Sequence, residues 1–222
     1  MNWKKNNKSR NCQEQSEQGG SCSGGIPIFL TTNGNDEQSQ NSQFCPIRVV
    51  ENKIFFYSDI DDISILELNR ILVELDIKLQ NLKNVLGSDY TPTIHLHINS
   101  PGGSVFSALA AVDTIRALKS KVYTYVDGMA ASAATLICGI GTRRFVGAYG
   151  HVLIHQLSSE FYGKFSEMED EIYNCTKLMQ LLKDFYKRYT KMPMKKLDEI
   201  LKRDIWLSAE EAVAYGIMDE II

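Results

Sequence analysis

Twice in succession the chain reads as strand, glycine turn and helix, and this alternation restricts the fold more than any single residue does. The first unit is Thr93-Ile-His-Leu-His-Ile98, then Asn99-Ser-Pro-Gly-Gly103, then a helix from Ser104 to Leu118. The second is Val122-Tyr-Thr-Tyr-Val126, then Asp127-Gly-Met-Ala-Ala-Ser132, then an Ala-rich helix start over Ala133–Cys138. A strand that returns parallel to its neighbour through a helix makes a right-handed crossover, so the pattern predicts an α/β fold with a parallel sheet. Active sites in such sheets lie beyond the carboxyl ends of the strands, where both glycine turns fall.

The segment from Arg144 to Gln156 reads as one more buried strand, ending in His155. A serine at a strand-to-helix turn and a histidine at the end of a neighbouring strand are raw material for nucleophilic catalysis. Backbone N–H groups at such a turn are unpaired and can receive a developing oxyanion. Gly102-Gly103 could instead cradle a phosphate. Neither GxxxxGKS nor GxGxxG is present, so oxyanion donors are the preferred reading.

The other elements follow from local signals. Arg48–Val50 and Lys53–Tyr57 read as strands, with the folded part starting near Pro46. A long helix is expected from Ser64, with Glu67 completing a capping box, to Gly87. Its apolar residues Ile65, Leu68, Leu72, Leu75, Leu79, Leu82 and Leu86 fall on one stripe. After an irregular stretch over Leu157–Gly163, Ser166 and Glu169 suggest a capping box opening a helix to Tyr189. Its apolar face holds Met168, Ile172, Cys175, Leu178, Met179, Leu182, Phe185 and Tyr189. A short helix follows Pro193, Ser208 with Glu211 caps another that ends at Gly216, and Ile217–Ile222 reads as a terminal strand that Asp219 closes in solvent.

Composition excludes several classes. With 222 residues and 44% hydrophobic content the chain can fill one sizeable core. A formal charge of -3 gives no general polycation for nucleic acid or anionic membrane. Five cysteines without CxxC spacing (Cys12, Cys22, Cys45, Cys138, Cys175) read as free thiols in a reducing compartment. No apolar run is long enough to span a bilayer, and none follows the basic N-terminus as a secretion signal. A cytoplasmic location is therefore expected. Lys4, Lys5, Lys8 and Arg10 also suit an organelle transit peptide to a stroma or matrix, against which Glu14, Glu17, Asp36 and Glu37 count. Residues 1–44, rich in Asn, Gln, Ser and Gly, are expected to be disordered, and 45–222 to be the folded domain. His95 and His97 share one face of their strand, but with no Cys or acid nearby to complete a set no metal site is expected. The spacing of His151 and His155 would need a helix to bind one.

Four segments in order, Ile98-Asn-Ser-Pro-Gly-Gly103, Gly128-Met-Ala-Ala-Ser132, Val152-Leu-Ile-His-Gln156 and Arg203 through Gly216, closely resemble the Clp protease proteolytic subunit, a ClpP-type serine peptidase. The resemblance runs from about Ile54 to the C-terminus, and departs from the usual pattern at Met129 and Leu157. It implies a ClpP/crotonase-like fold of repeated ββα units with a parallel sheet and a protruding handle helix, the handle lying at about 157–190. It also implies a triad of Ser132 as nucleophile, His155 as general base and Asp204 as third member. The main-chain N–H groups of Gly103 and Ala133 would form the oxyanion hole.

As partners it implies other copies of the chain in stacked heptameric rings, a tetradecamer around a chamber, and a hexameric AAA+ unfoldase ATPase that feeds in unfolded proteins. No cofactor is implied, ATP being used by the unfoldase alone. Two other classes stand beside this reading. A crotonase-fold acyl-CoA hydratase or isomerase would hold its acyl oxygen with two glycine-turn N–H groups and have no use for a Ser–His–Asp set. A non-catalytic ring subunit would carry the triad incidentally.

Overall fold

The computed structural model describes residues 47–222. The readings of residues 1–44, and of Cys12, Cys22 and Cys45, lie outside the described residues. Strands β1 (Ile47–Val50) and β2 (Lys53–Phe56) form an antiparallel hairpin. Helix α1 (Asp62–Leu86), β3 (Thr93–Ser100), α2 (Val105–Ala117), β4 (Lys121–Ala131) and α3 (Ala134–Gly139) then supply the expected crossovers. Strands β2, β3 and β4 run parallel in adjacent positions. The remainder is β5 (Arg143–Val146), β6 (His151–Leu153), α4 (Phe165–Tyr189), α5 (Met194–Ile200), β7 (Trp206–Leu207), α6 (Ala209–Ala214) and β8 (Glu220–Ile221). The sheet order is β1-β2-β3-β4-β5-β8, with β6 also on β4 and β7 on β6.

Strand β4 is central and longer than the sequence suggests. The small residues Gly128 to Ala131 read as a turn, yet they continue the strand because Met129, Ala130 and Ala131 pair with His151, Val152 and Leu153. The single strand expected over Arg144–Gln156 is two strands, interrupted at Gly147–Gly150. The first, β5, pairs with the front half of β4 and the second, β6, with the back half. One long strand thereby carries two short parallel neighbours on one edge and β3 on the other.

The face of β3 bearing Ile94, Leu96 and Ile98 is fully buried beneath the helices, together with Leu68 and Leu72 of α1. The opposite face carries a row of rings from four adjacent strands. Phe55 stacks on His97 at 4.7 Å, His97 on Tyr125 at 4.4 Å, and Tyr125 on Phe145 at 4.8 Å. Offset ring contacts of this kind add to burial in holding cross-strand register.

Two helix starts differ from expectation because an unread side-chain acceptor, upstream of the expected cap in α1 and downstream of it in α4, binds the chain first. The N-cap of α1 is Asp61, which accepts from the Ser64 N–H at 2.7 Å while Ser64 Oγ accepts from the Asp61 N–H. Ser64 is thus the third helical residue, and Glu67 pairs with Arg70 instead. The cap of α4 is Lys164, whose N–H donates to Glu167 at 2.8 Å, so that Ser166 is already helical. Ser208 caps α6 as the sequence indicates.

The stripe on α1 is buried from Ile65 to Leu79, and Leu82 and Leu86 emerge where the helix outruns the sheet. In α4 burial is confined to Leu182, Phe185 and Tyr186 near the end, while Met168 and Ile172 stand exposed. Among the described residues no helix is long and apolar enough to cross a membrane.

These burial differences give a direct test. Leu72→Ala removes a fully buried side chain and is expected to cost about 2 to 5 kcal/mol. Leu86→Ala lies on the same sequence stripe but in solvent, and is expected to change stability by less than about 0.5 kcal/mol. Denaturant unfolding of the two variants measures the contrast.

Candidate active site

Strand β4 ends at Ala131, and the chain then turns sharply at Ser132, whose φ of 55° lies in the left-handed region. A side chain held there costs on the order of 1 to 3 kcal/mol, so the surroundings must fix it. The Ser132 N–H donates to the Leu153 carbonyl of β6 at 2.8 Å. Its carbonyl accepts from both the N–H and the hydroxyl of Thr135, at 3.0 and 2.6 Å. From the third side the backbone of Gly102 abuts the turn. A Cβ on Gly102, itself at φ 99°, would lie 2.6 Å from the Ala131 oxygen and 2.7 Å from Ser132 Cβ.

The double-glycine turn is anchored by the segment before α1. Ile60 donates to the Gly102 carbonyl at 2.8 Å and accepts from the Ser104 N–H at 2.7 Å. Gly103, at φ 143°, passes so close to the Ile60 carbonyl that any side chain would collide with it. Asn99 accepts from the Met129 N–H at 3.3 Å, tying the ends of β3 and β4 together. Neither the Gly103 nor the Ala133 N–H has an internal acceptor among the described residues. Both residues line the same cavity as Ser132.

His155 lies two residues beyond β6 rather than at its last position. The buried Ile154 and a bond from the Gln156 N–H to the Leu201 carbonyl at 2.7 Å hold the chain on either side of it. Asp204 reaches it through sheet geometry. Strand β7 runs antiparallel to β6 with Leu153 opposite Trp206, and continuing that register two residues sets Asp204 opposite His155. The observed separation, His155 Nδ1 to Asp204 Oδ1, is 3.3 Å, longer than a fully formed charge-assisted bond. Such contacts commonly tighten only with substrate in place. The Asp204 side chain is 79% exposed, against 26% for His155.

Ser132 and His155 meet in one cavity of about 370 Å³, whose apolar wall is built by Leu136, Leu178 and Leu182. Leu157 also lines it and donates its N–H to Met179 Sδ at 3.1 Å, a bond that a proline at this position could not make. The structure thus brings together Gly103, Ser132, Ala133, His155 and Asp204. It leaves His151 outside, exposed, with Nδ1 2.9 Å from the Tyr149 carbonyl.

Asp219 does not end its strand free in solvent. It accepts from the Arg144 N–H at 2.9 Å and from the Arg144 guanidinium. Burial pushes its carboxyl up, but these Arg144 contacts outweigh that and bring it below the ordinary value. His95 and His97 face away from the cavity, with His95 Nδ1 2.8 Å from the Tyr125 hydroxyl. Contrary to the sequence reading an acid is at hand, for Asp127 lies 2.8 Å from His97 Nδ1. Among the described residues no cluster of three or more His, Cys, Asp or Glu side chains is arranged to hold a metal ion.

Two residues at the site escaped sequence reasoning. The Thr135 hydroxyl lies 2.7 Å from the buried hydroxyl of Tyr186 near the end of α4. Tyr186 follows Leu182 by one helical turn, which could have placed it on the buried face. No sequence signal pairs it with Thr135.

Comparison with known proteins agrees with this geometry. The family model described as Clp protease matches residues 47–222. A protein of Cyanophora paradoxa named "ATP-dependent Clp protease proteolytic subunit" is 35% identical over 198 residues, covering 88% of this chain and 97% of that protein. One of the same name from Deinococcus radiodurans is 37% identical over 131 residues, covering 58% of this chain and 64% of that protein. A match over nearly the whole folded region, to a relative covered end to end, establishes that the chain belongs to the Clp protease family.

Proposed function

We propose that this chain is a serine endopeptidase subunit in which Ser132 is the nucleophile, His155 the general base and Asp204 the residue that orients it. The observation that carries the reading is the joint placement of Ser132 and His155 in one cavity, with Asp204 3.3 Å behind the imidazole. Serine is a poor nucleophile until an imidazole takes its proton. In this arrangement Ser132 Oγ attacks the peptide carbonyl carbon as its proton passes to His155 Nε2. The charge that forms on the substrate oxygen is received by the free N–H groups of Gly103 and Ala133. When the carbon–nitrogen bond breaks, the imidazolium returns the proton to the leaving amine. Water, deprotonated by His155, then attacks the acyl carbon, and as the bond to Ser132 Oγ breaks the imidazolium returns the proton to Oγ. Asp204 fixes the proton on Nδ1 throughout and stabilises the charged ring. The chemistry uses only these groups and water, with no cofactor; nucleotide hydrolysis belongs to an ATPase partner.

The distal part of α4, with Phe165, Met168 and Ile172 exposed, is the handle of this reading and supports self-association. Stacked rings enclosing the cavities, heptameric and fed with unfolded chains by an AAA+ unfoldase, are the assembly we infer. The relatives' names speak of an ATP-dependent protease subunit, in keeping with such a partner. An acyl-CoA hydratase would have no role for the imidazole–carboxylate pair beside the serine.

Incubation with a fluorophosphonate is expected to add its mass to Ser132 and to no other serine, and His155→Ala is expected to abolish the adduct. An unmodified Ser132 in the folded wild-type protein would overturn the assignment. With a short fluorogenic peptide, Ser132→Ala is expected to lower kcat by about a millionfold. Asp204→Asn, which leaves the shape but removes the charge, should lower it about 10⁴-fold. Light scattering is expected to give a mass many times that of one chain, and a strictly monomeric active enzyme would refute the assembly.

A further inference from the structure

The end of α4 is hydrogen-bonded to the nucleophile turn, and the direction of each bond follows from counting protons. The Ser132 carbonyl can only accept, and Thr135 Oγ1 lies 2.6 Å from it, so the single hydroxyl proton of Thr135 is committed there. The contact of 2.7 Å between Thr135 Oγ1 and the Tyr186 hydroxyl must then have Tyr186 as donor. The resulting chain is directional, from Tyr186 O–H to Thr135 Oγ1 to Ser132 C=O. Thr135 is 1% and Tyr186 4% exposed, so water does not compete for either bond. Burial pushes the Tyr186 phenol up to about 12, which keeps its proton on and its donor role intact at neutral pH. Helices α3 and α4 approach closely beside these bonds, for Gly139 lies against the Phe185 ring, where a Cβ would come within 3.2 Å.

The acceptor at the end of this chain matters because of what shares its peptide plane. The carbonyl of Ser132 and the N–H of Ala133 belong to one planar trans unit and point in opposite directions. Fixing the carbonyl therefore fixes the N–H. A peptide unit next to a residue in the left-handed region can rotate about its two flanking bonds, and such a rotation would withdraw the Ala133 N–H from the cavity. The two bonds from Thr135 to the Ser132 carbonyl oppose it.

We propose that Tyr186 is a positioning residue for the oxyanion hole: through Thr135 its hydroxyl locks the Ser132–Ala133 peptide so that the Ala133 N–H faces the substrate oxygen. The proposal rests on the peptidase reading above and adds to it a residue far away in sequence, which borders the cavity but whose hydroxyl is turned to Thr135 and acts through it. A donor that is aimed correctly for only part of the time stabilises the transition state less, whereas ground-state binding of a peptide is little altered. The signature is therefore a fall in kcat at nearly constant KM.

The experiment is steady-state hydrolysis of a short fluorogenic peptide by the assembled protein. Tyr186→Phe is expected to lower kcat by about 3- to 10-fold, a fraction of the loss on deleting an oxyanion donor outright, with KM within about twofold. Thr135→Val, similar in shape but without the hydroxyl, is expected to show the same split, and Thr135→Ser to restore most of what Thr135→Val loses. Because the bonds act in series, the double variant Tyr186→Phe/Thr135→Val is expected to be no slower than Thr135→Val alone. Should Tyr186→Phe fail to assemble, the comparison of Thr135→Val with Thr135→Ser reads the same chain.

An active wild type with Tyr186→Phe at full kcat, or with the two losses multiplying in the double variant, overturns the positioning role and leaves the peptidase reading intact. An inactive wild type whose Ser132 resists fluorophosphonate overturns the peptidase reading, and this role with it. A loss in Tyr186→Phe that falls on KM alone points to a packing role and also overturns the proposal.

Discussion

The parallel pairing of β4 with β6 governs the molecule's chemistry. Its last pair sets Ala131 beside Leu153, and the next bond, from the Ser132 N–H to the Leu153 carbonyl, holds the chain where it leaves the sheet. Were that register to slip by one residue, alternate side chains would exchange faces and the serine would point into the core or away from the cavity. The same strand β6 leads to His155 and, through its antiparallel partner β7, to Asp204. Ser132, His155 and Asp204 thus all lie within two residues of strands joined in a single sheet.

The strain at Ser132 belongs to the same design. A non-glycine residue at φ 55° is tolerated because three separate elements surround it: β6 binds its N–H, α3 its carbonyl, and the Gly102 backbone closes the remaining side. Each needs a particular residue type. Gly102 must lack a side chain because of its distance from Ser132 Cβ, and Gly103 because of the Ile60 carbonyl. The two glycines that read in sequence as a weak, ambiguous signal are therefore required twice over. They admit the backbone to the turn, and they leave at least one N–H facing the cavity without an internal acceptor.

What could be read from sequence was whatever a few neighbouring residues decide. The alternation of Ile94, Leu96 and Ile98 with His95 and His97, the Ser208–Glu211 capping box and the strand–turn–helix alternation are local, and the structure contains them. Apart from the two helix caps, where one nearby acceptor was taken for another, the errors arose where a distant partner decides. Gly128 to Ala131 have turn-like composition, but pairing to His151–Leu153 makes them strand. Asp219 looked like a solvent carboxylate until Arg144, 75 positions away, came beside it. Asp204 has no local mark at all. Only the family resemblance singled it out, because its place opposite His155 depends on the register of β7, a strand of two residues. Thr135 and Tyr186 belong to the same class, since a hydrogen bond across 51 positions leaves no periodicity behind.

Helix α4 divides into two physical regimes. Its last turns are packed into the fold through Leu182, Phe185 and Tyr186, while the turns from Phe165 to Tyr173 carry the apolar side chains Phe165, Met168, Ile172 and Tyr173 exposed among the described residues. A helix with few tertiary contacts is marginal in water, so the distal turns are held less firmly within one chain than the proximal ones. That difference reaches the cavity. Leu178 of α4 and Leu157, bound through its N–H to Met179, form part of the cavity wall. Ser159 also donates to Glu171 on the same helix. A lone chain would therefore have one firm wall, made of sheet and glycine turn, and one wall whose order depends on α4. The proximal turns of α4 contribute to that second wall through Leu178 and Leu182, so the packing that buries Leu182, Phe185 and Tyr186 also shapes the cavity.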